Sequence, residues 1–231
     1  SYTVSLTSPA QTAVTVNLSY SGIAADGSDL TGVATVTIPA GSSSANFSVA
    51  TLQDVLAEGA ESFTVTIGSA AGGNFENLVI SGTNAAATTS ITDDDTPALS
   101  VSSPTVGEGG FAVFTVSLSN ASTTAVTFNP TLVSGSATVG TDTSTALEYF
   151  NGTSWVAVPV GGVTLAAGAT SVQIRVATTD DFAAEGNETF TLTATVTAGT
   201  TANASATGTA TISDDVDATT VTLTATPSVA E

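Results

Sequence analysis

The sequence has no cysteine, no histidine and no methionine, and its single basic side chain is Arg175. Without Cys or His, the chain cannot form disulfides, perform thiol redox chemistry, build a structural zinc site or use imidazole for acid/base catalysis. The absence of Met indicates an internal or processed segment of a longer chain. No apolar run approaches the roughly 20 residues of a membrane helix, so we expect no membrane insertion.

Positive charge is almost absent as well. The chain has one basic residue and 20 Asp and Glu residues, which gives a formal net charge of -19. Nucleic acids and anionic membrane surfaces are recognised through basic patches, so neither is expected as a partner. Cations are the natural partners of such a chain. Apolar residues nevertheless recur with a regular period, which predicts a packed core and not a disordered tail.

Two copies of one repeat account for most of the chain. YTVSLTSPAQTAVTV (2–16) aligns with FTVSLSNASTTAVTF (114–128), and TIPAGSSSANFSVATLQD (37–54) aligns with TLAAGATSVQIRVATTDD (164–181). Each copy closes on Ile-x-Asp-Asp, at residue 91 and at residue 212. A third motif, SSPTVGE (102–108), recurs as ATPSVAE (225–231). The repeats set the predicted domain organisation.

Apolar and polar residues alternate within each repeat, as in Val14, Val16 and Leu18 or Phe63, Val65 and Ile67. This period of two, in Thr- and Val-rich sequence broken by Gly, Pro and Asn, is typical of half-buried strands. About seven such strands per repeat predict an all-β fold of tandem immunoglobulin-like antiparallel β-sandwiches. We place the domains at residues 1–95 and 96–217, with residues 218–231 as the first strand of a following repeat.

The register of the repeats makes a further prediction. Domain one begins after the segment that opens domain two, so it lacks a first strand, and a matching strand stands unattached in residues 218–231. An excerpt from a longer array explains this pattern. Strand addition between chains also explains it, since the last strand of one chain would complete the open sandwich of the next and build a filament.

Domain two carries an extra excursion, residues 140–158, which contains the only Trp, Trp155. One interpretation is a hairpin in which Tyr149, Phe150 and Trp155 cover one end of the sandwich. The alternative is an aromatic platform for a sugar or a protein.

Carboxylates cluster at predicted strand ends and recur at matching positions in both copies. The predicted metal ligands in domain one are Asp29, Asp54, Glu58, Glu61, Asp93, Asp94 and Asp95. Those in domain two are Glu108, Asp142, Asp180, Asp181, Glu185, Glu188, Asp214, Asp215 and Asp217. Calcium prefers several oxygen ligands from flexible loops, and a set without His or Cys disfavours transition metals. Solvated turn residues are the alternative interpretation.

These motifs together resemble the Calx-beta domain family. The similar features are a Gly-x-Asp loop (27–29 and 140–142), an Asp-x3-Glu-x2-Glu stretch (54–61 and 181–188) and the closing Ile-x-Asp-Asp runs. The resemblance implies an immunoglobulin-like sandwich that binds calcium at one end through these residues and a first-strand Glu. Glu108 matches that Glu and Glu231 begins the motif again, whereas domain one has none.

Domain one also has Gln53 where domain two has Asp180, which implies that it binds fewer ions. The low Lys content and the richness in Thr, Ser, Val, Ala and Gly resemble the stalks of bacterial RTX-type surface adhesins.

The sequence therefore predicts calcium-stiffened extender repeats of a bacterial secreted or cell-surface, adhesin-like protein, which bind Ca²⁺ and contact neighbouring repeats. A carbohydrate- or protein-binding module, a strand-exchange filament subunit and a calcium sensor are the alternatives. Dense carboxylate clusters repeated in both domains suit a metal better than the separated acid/base pair of a glycosidase, so no enzyme is predicted.

Overall fold

The structure is a computed structural model that describes residues 1–214, 216 and 218–225. Every regular element among these residues is a β-strand, so the fold is all-β. No helix in this part of the chain has the length and apolar character needed to cross a membrane. The chain divides into two compact units, unit 1 (Ser1–Asp95) and unit 2, which begins at Thr96.

Unit 1 contains eight strands: β1 (Tyr2–Ser5), β2 (Val14–Gly22), β3 (Leu30–Thr31), β4 (Thr35–Ile38), β5 (Ser44–Phe47), β6 (Ala50–Thr51), β7 (Glu61–Gly72) and β8 (Ala86–Ile91). They form an antiparallel sheet in the order β4-β2-β7-β8 and two-stranded sheets β1-β5 and β3-β6. Val14 and Val16 of β2 and Ile38 of β4 are buried and pack with Val4 of β1. The apolar core therefore lies between the four-stranded sheet and the short sheets.

The described part of unit 2 contains ten strands: β9 (Leu99–Val101), β10 (Thr105–Gly107), β11 (Phe111–Leu118), β12 (Val126–Ser134), β13 (Glu148–Phe150), β14 (Trp155–Ala157), β15 (Val163–Leu165), β16 (Ser171–Ala177), β17 (Glu188–Ala198) and β18 (Ser205–Ser213). They form two five-stranded sheets in the orders β10-β18-β17-β12-β15 and β14-β13-β16-β11-β9. One β-sandwich results.

The alternating pattern of the sequence determines which residues fill this sandwich. In β11 every second residue is buried, from Ala112 to Leu118, while the residues between them are more exposed. Phe114 of β11 meets Phe190 of β17 edge to face, with ring centroids 5.9 Å apart. Such an aromatic pair contributes about 0.5–1.5 kcal/mol beyond the burial of its area.

The first strand of unit 2 is divided between the two sheets, which raises the strand number above the seven expected. β9 pairs antiparallel with β11, whereas β10 pairs parallel with β18. Residues 102–104, Ser-Ser-Pro, lie between the two pieces. Proline lacks a backbone N–H and cannot continue the hydrogen-bonded ladder, so the strand changes sheets there.

The excursion at residues 140–158 forms a hairpin at a sheet edge, where β13 joins β16 and β14 joins β13. Arg175 of β16 fixes it, because its Nε donates to Glu148 Oε2 at 2.7 Å. The guanidinium also lies 4.1 Å from the ring centroid of Phe111 and 4.4 Å from that of Trp155. The hairpin thus extends a sheet at its edge, Tyr149 packs against the core, and one face of Trp155 is occupied by Arg175.

Candidate metal centre

The Gly-x-Asp loop has the same conformation in both units. The backbone N–H of Ala25 donates to Asp29 Oδ2 at 2.5 Å, and that of Thr138 donates to Asp142 Oδ2 at 2.6 Å. The glycine two residues before each aspartate has a positive φ, 99° in unit 1 and 95° in unit 2. A residue with a Cβ is strained in that region, so glycine lets the turn bring the carboxylate back towards the loop.

The first aspartate of each acidic stretch is also held in one orientation. Asp54 Oδ1 accepts from the N–H of Leu56 at 2.8 Å, and Asp181 Oδ1 accepts from the N–H of Ala183 at 2.7 Å. Each carboxylate caps its own loop two residues on, as Asp side chains do in turns. One oxygen of each carboxylate is used in the cap.

The closing aspartate ties the acidic stretch to the last strand. Asp93 Oδ2 accepts from the N–H of Glu58 at 2.9 Å, and Asp214 Oδ2 accepts from the N–H of Glu185 at 3.2 Å. The two residues of a pair are 35 positions apart in unit 1 and 29 in unit 2. The same long-range bond therefore assembles the acidic residues of both units.

Unit 1 brings its predicted ligands into two close groups. Carboxylate oxygens of Asp29, Glu58 and Glu61 lie within 4.8 Å of one another, and so do those of Asp93, Asp94 and Asp95. Both groups, together with Asp54, line a single cavity of about 80 Å³. Residues 51–53 and 91–92 also line the cavity.

The pKa values in this cavity show the cost of holding like charges together. Partial desolvation and then the Asp29 and Asp93 carboxylates raise the pKa of Glu61, and desolvation followed by Glu61 raises that of Glu58. Asp93 is the exception: desolvation alone would raise its pKa, but N–H donors of Asp95, Gly59 and Glu58 lower it overall. Asp93 is thus held ionised while its neighbours repel one another.

Gln53 enters this cluster as a donor. Its Nε2 donates to Asp94 Oδ1 at 2.9 Å and to Asp95 Oδ2 at 3.3 Å. The side-chain amide thereby offsets part of the charge of the closing aspartates. The aligned Asp180 of unit 2 cannot donate in this way, since an ionised carboxylate only accepts hydrogen bonds.

Glu108 holds the most constrained carboxylate of unit 2. Its Oε2 is buried and has no hydrogen-bond partner among the described residues. Desolvation and then the Asp214 carboxylate raise its pKa, a hydrogen bond from the backbone of Asp181 lowers it in part, and the carboxylates of Asp181 and Glu185 add smaller rises. A buried carboxylate oxygen without a partner is costly unless a cation compensates it. The neighbours of Glu108 are themselves predicted ligands, so this oxygen points to a cation in their midst.

The remaining predicted ligands of unit 2 lie around this group. Desolvation and the adjacent Asp142 carboxylate raise the pKa of Glu188. Asp180 lies beside the turn at Gly109, directly after Glu108. Within the described residues of unit 2, no three carboxylates approach as closely as the two groups of unit 1. Asp215 and Asp217, like residues 226–231 of the predicted following strand, lie outside the described residues.

The donor set of both units fits a hard divalent cation. It consists of carboxylates, and it includes the buried Oε2 of Glu108, which has no hydrogen-bond partner among the described residues. Calcium takes 6 to 8 such oxygens, whereas magnesium prefers to keep several waters. A calcium ion would be held by the carboxylates named above and would neutralise their repulsion.

Protonation should partly replace a cation in these clusters. Five carboxylates, Glu58, Glu61, Asp95, Glu108 and Glu188, have raised pKa values, against the lowered pKa of Asp93. Raised values mean that the folded chain binds extra protons, so stability without metal falls as pH rises through them. In chelator we expect the unfolding temperature to rise when the pH is lowered from about 7 to about 5.

With calcium in excess, the same change of pH should lower the unfolding temperature, because protons displace the metal from its ligands. Scanning calorimetry under both conditions measures this. Parallel pH profiles with and without calcium would contradict the account.

Comparison with known proteins agrees with this architecture. The Calx-beta domain model matches residues 92–216, and the LapA domain model matches residues 1–94. No curated protein matches.

Similar solved structures include the apo-form Calx CBD1 domain, at 18% identity over 51% of this chain and 98% of that chain (TM-score 0.37). CBD12 from CALX1.2 is similar at 15% identity, over 86% of this chain and 75% of that chain (TM-score 0.36). E. coli alpha-2-macroglobulin is similar at 14% identity, over 79% of this chain and 10% of that chain (TM-score 0.29). Because the Calx-beta model matches more than half of its residues, the chain belongs to the Calx-beta domain family.

Proposed function

We propose that the chain forms calcium-binding structural repeats that extend a secreted or cell-surface, adhesin-like protein. One observation carries the proposal: matching carboxylates are held by matching backbone hydrogen bonds in both units. The matched pairs are Asp29 and Asp142, Asp54 and Asp181, and Asp93 and Asp214. Solvated turn residues do not require the same loop conformations twice, whereas a repeated ion site does.

Calcium would act by joining segments that the backbone alone holds weakly. In unit 1 the carboxylates belong to three segments: the loop of Asp29, the acidic stretch 54–61 and the closing run 93–95. An ion shared by them replaces mutual repulsion with attraction to a common charge. Because the closing run forms the last residues of unit 1, an ion bound there also restrains the segment that leads into the next repeat.

An extracellular bacterial location completes the proposal. The LapA and Calx-beta matches support adhesin-like or calcium-binding repeats. Calcium sites that need a high external concentration would remain filled outside the cell. Acidic, Lys-poor repeats also repel one another along an array, which favours an extended chain. We infer a structural role and no catalysis, since the grouped carboxylates of unit 1 contact one another, backbone donors and the side-chain amide of Gln53.

The binding-module alternative receives no support at the hairpin. Trp155 is half-buried, and Arg175 covers one of its two ring faces, so that face is not available to a sugar. The ion pair with Glu148 holds the arginine in that place.

Small-angle X-ray scattering of the whole chain tests the stiffening. With calcium in excess we expect a larger maximum dimension and a narrower distance distribution than in chelator. The double variant Asp94→Asn, Asp95→Asn should lose most of this difference, while Glu76→Gln, outside the clusters, should keep it. Identical profiles in calcium and chelator would show that any bound ion does not stiffen the chain.

A further inference from the structure

Gln53 and Asp180 occupy the same backbone position in the two units. The residue before each one donates its N–H to the carbonyl of the Gly-x-Asp aspartate at 2.9 Å, Leu52 to Asp29 and Thr179 to Asp142. The residue after each one is the aspartate that caps its own loop. The two side chains therefore start from equivalent places in the fold, and they differ in their chemistry.

The side-chain amide of Gln53 bridges two carboxylates of the closing run 93–95. Its Nε2 donates to Asp94 Oδ1 at 2.9 Å and to Asp95 Oδ2 at 3.3 Å, across 41 and 42 residues of sequence. The third carboxylate, Asp93, accepts from backbone N–H groups, including that of Gly59 at 3.1 Å. Each carboxylate of the closing run thus has a hydrogen-bond donor that belongs to the protein.

The amide occupies the oxygens that an ion shared by Asp94 and Asp95 would use. Calcium contacts its oxygen ligands at about 2.3–2.6 Å, whereas Nε2 already lies within 3.3 Å of one oxygen from each carboxylate. The nitrogen of a side-chain amide is a hydrogen-bond donor and presents its hydrogens to these oxygens. The amide must therefore leave them before both can bind a cation.

We propose that Gln53 is a latch that holds the closing run of unit 1 without calcium and raises the calcium concentration at which unit 1 binds the ion. The inference rests on the calcium binding proposed above. Molecules in the latched state do not bind an ion at Asp94 and Asp95, so the apparent affinity falls in proportion to the unlatched fraction. In low calcium the latch keeps the closing run in place, and calcium-rich surroundings replace it with an ion.

Unit 2 has a carboxylate in place of the latch. An ionised carboxylate only accepts hydrogen bonds, so Asp180 cannot hold other aspartates as the amide of Gln53 does. Asp180 instead adds to the negative charge around Glu108, whose Oε2 is buried without a hydrogen-bond partner among the described residues. The same backbone position therefore opposes calcium binding in unit 1 and favours it in unit 2.

Thermal unfolding of the full chain in chelator tests the latch without calcium. Gln53→Ala leaves Asp94 and Asp95 to repel each other, so it should lower the unfolding temperature of unit 1 by a few degrees. Gln53→Glu keeps the size of the side chain but adds a charge, and should lower it further. Gln11→Ala is the matched control, because Gln11 is an exposed glutamine of unit 1 that accepts a hydrogen bond from Asn74 outside the acidic cavity. Its effect should be less than half that of Gln53→Ala.

Nuclear magnetic resonance of the full chain, titrated with calcium, tests the competition. The side-chain N–H₂ signals of Gln53 should shift at the same calcium concentration as the backbone signal of Gly59, whose N–H is bound to Asp93 in the closing run. The Gln53→Ala chain should reach half-saturation at a several-fold lower calcium concentration, because no amide has to be displaced. Gln53→Glu should lower this concentration again, and Gln11→Ala should leave it unchanged.

Three results would overturn the latch and leave calcium binding intact. They are a shift of the Gly59 signal with the Gln53 amide signals unmoved, unchanged or weaker calcium binding by Gln53→Ala, and equal unfolding temperatures of Gln53→Ala and Gln11→Ala in chelator. Calcium that moves no signal of either unit would contradict the proposed function itself. The effect of Gln53 on calcium binding would then be wrong as well, whatever Gln53→Ala does in chelator.

Discussion

Excess calcium is expected to raise the unfolding temperature of the chain by on the order of 10 °C above its value in chelator. A ligand at 100 times its dissociation constant stabilises the folded state by about 2.7 kcal/mol per site. For a domain of about 100 residues, each kcal/mol corresponds to about 4–8 °C. The effect should be large here because the ion also relieves repulsion among the grouped carboxylates of unit 1.

Magnesium at the same concentration is the matched control for this shift. It has the same charge and screens surface carboxylates equally, but it demands octahedral geometry and gives up its waters reluctantly. We therefore expect a rise of a few degrees at most. Equal shifts with both ions would indicate general charge screening, and no shift with calcium would indicate solvated turns without a site.

The second large effect concerns Glu61. Removing its charge should raise the unfolding temperature without calcium and lower it with calcium. The Glu61→Gln variant keeps the size of the side chain but removes its repulsion with Asp29 and Asp93, which contribute to its raised pKa. In chelator it should therefore unfold at a temperature a few degrees higher than the unmodified chain. In calcium it should be less stable, because loss of one charged ligand weakens the affinity of unit 1 by about tenfold or more.

Glu188→Gln is the matched variant in unit 2, since Glu61 and Glu188 are the first residues of β7 and β17. It should give the same reversal in the transition of unit 2. Glu76→Gln removes a charge outside the clusters and should change the unfolding temperature neither in chelator nor in calcium. Should Glu61→Gln lose stability in chelator, the repulsion inferred from the carboxylate geometry would be wrong.

Much of the fold could be predicted from the sequence because the sandwich is built on local alternation. Val14 and Val16 of β2, like Val36 and Ile38 of β4, are spaced for one face of a strand, and all four are buried. The division of the first strand between two sheets was not predicted: Pro104 marks the place where pairing stops, but the crossing also depends on the close approach of Ser102 to Gly208, which requires the tertiary fold. The hairpin at residues 140–158 was predicted either as an end cover or as an aromatic platform, and in the structure it extends a sheet edge, fixed by the contacts of Arg175.

For the site, the sequence could indicate residue types and matching positions, but not distances. The grouping of Asp29 with Glu58 and Glu61 joins loops that only the folded sandwich brings together. The partnerless oxygen of Glu108 depends on burial, which no spacing reveals. Gln53 stands out in the alignment as a departure from Asp180, yet its donation to Asp94 requires coordinates. Residue types and their spacing can be taken from the sequence, whereas the distances between side chains and their burial depend on the tertiary fold.

Calorimetric titration of the metal-free chain with calcium measures the proposed ion binding itself. We expect saturable, calcium-specific binding by both units, and the double variant Glu61→Gln, Glu188→Gln should bind at least tenfold more weakly. A titration without saturable heat that also leaves the unfolding temperature unchanged would contradict the claim. The carboxylates would then be solvated turn residues, and the match between the two units would reflect the fold alone.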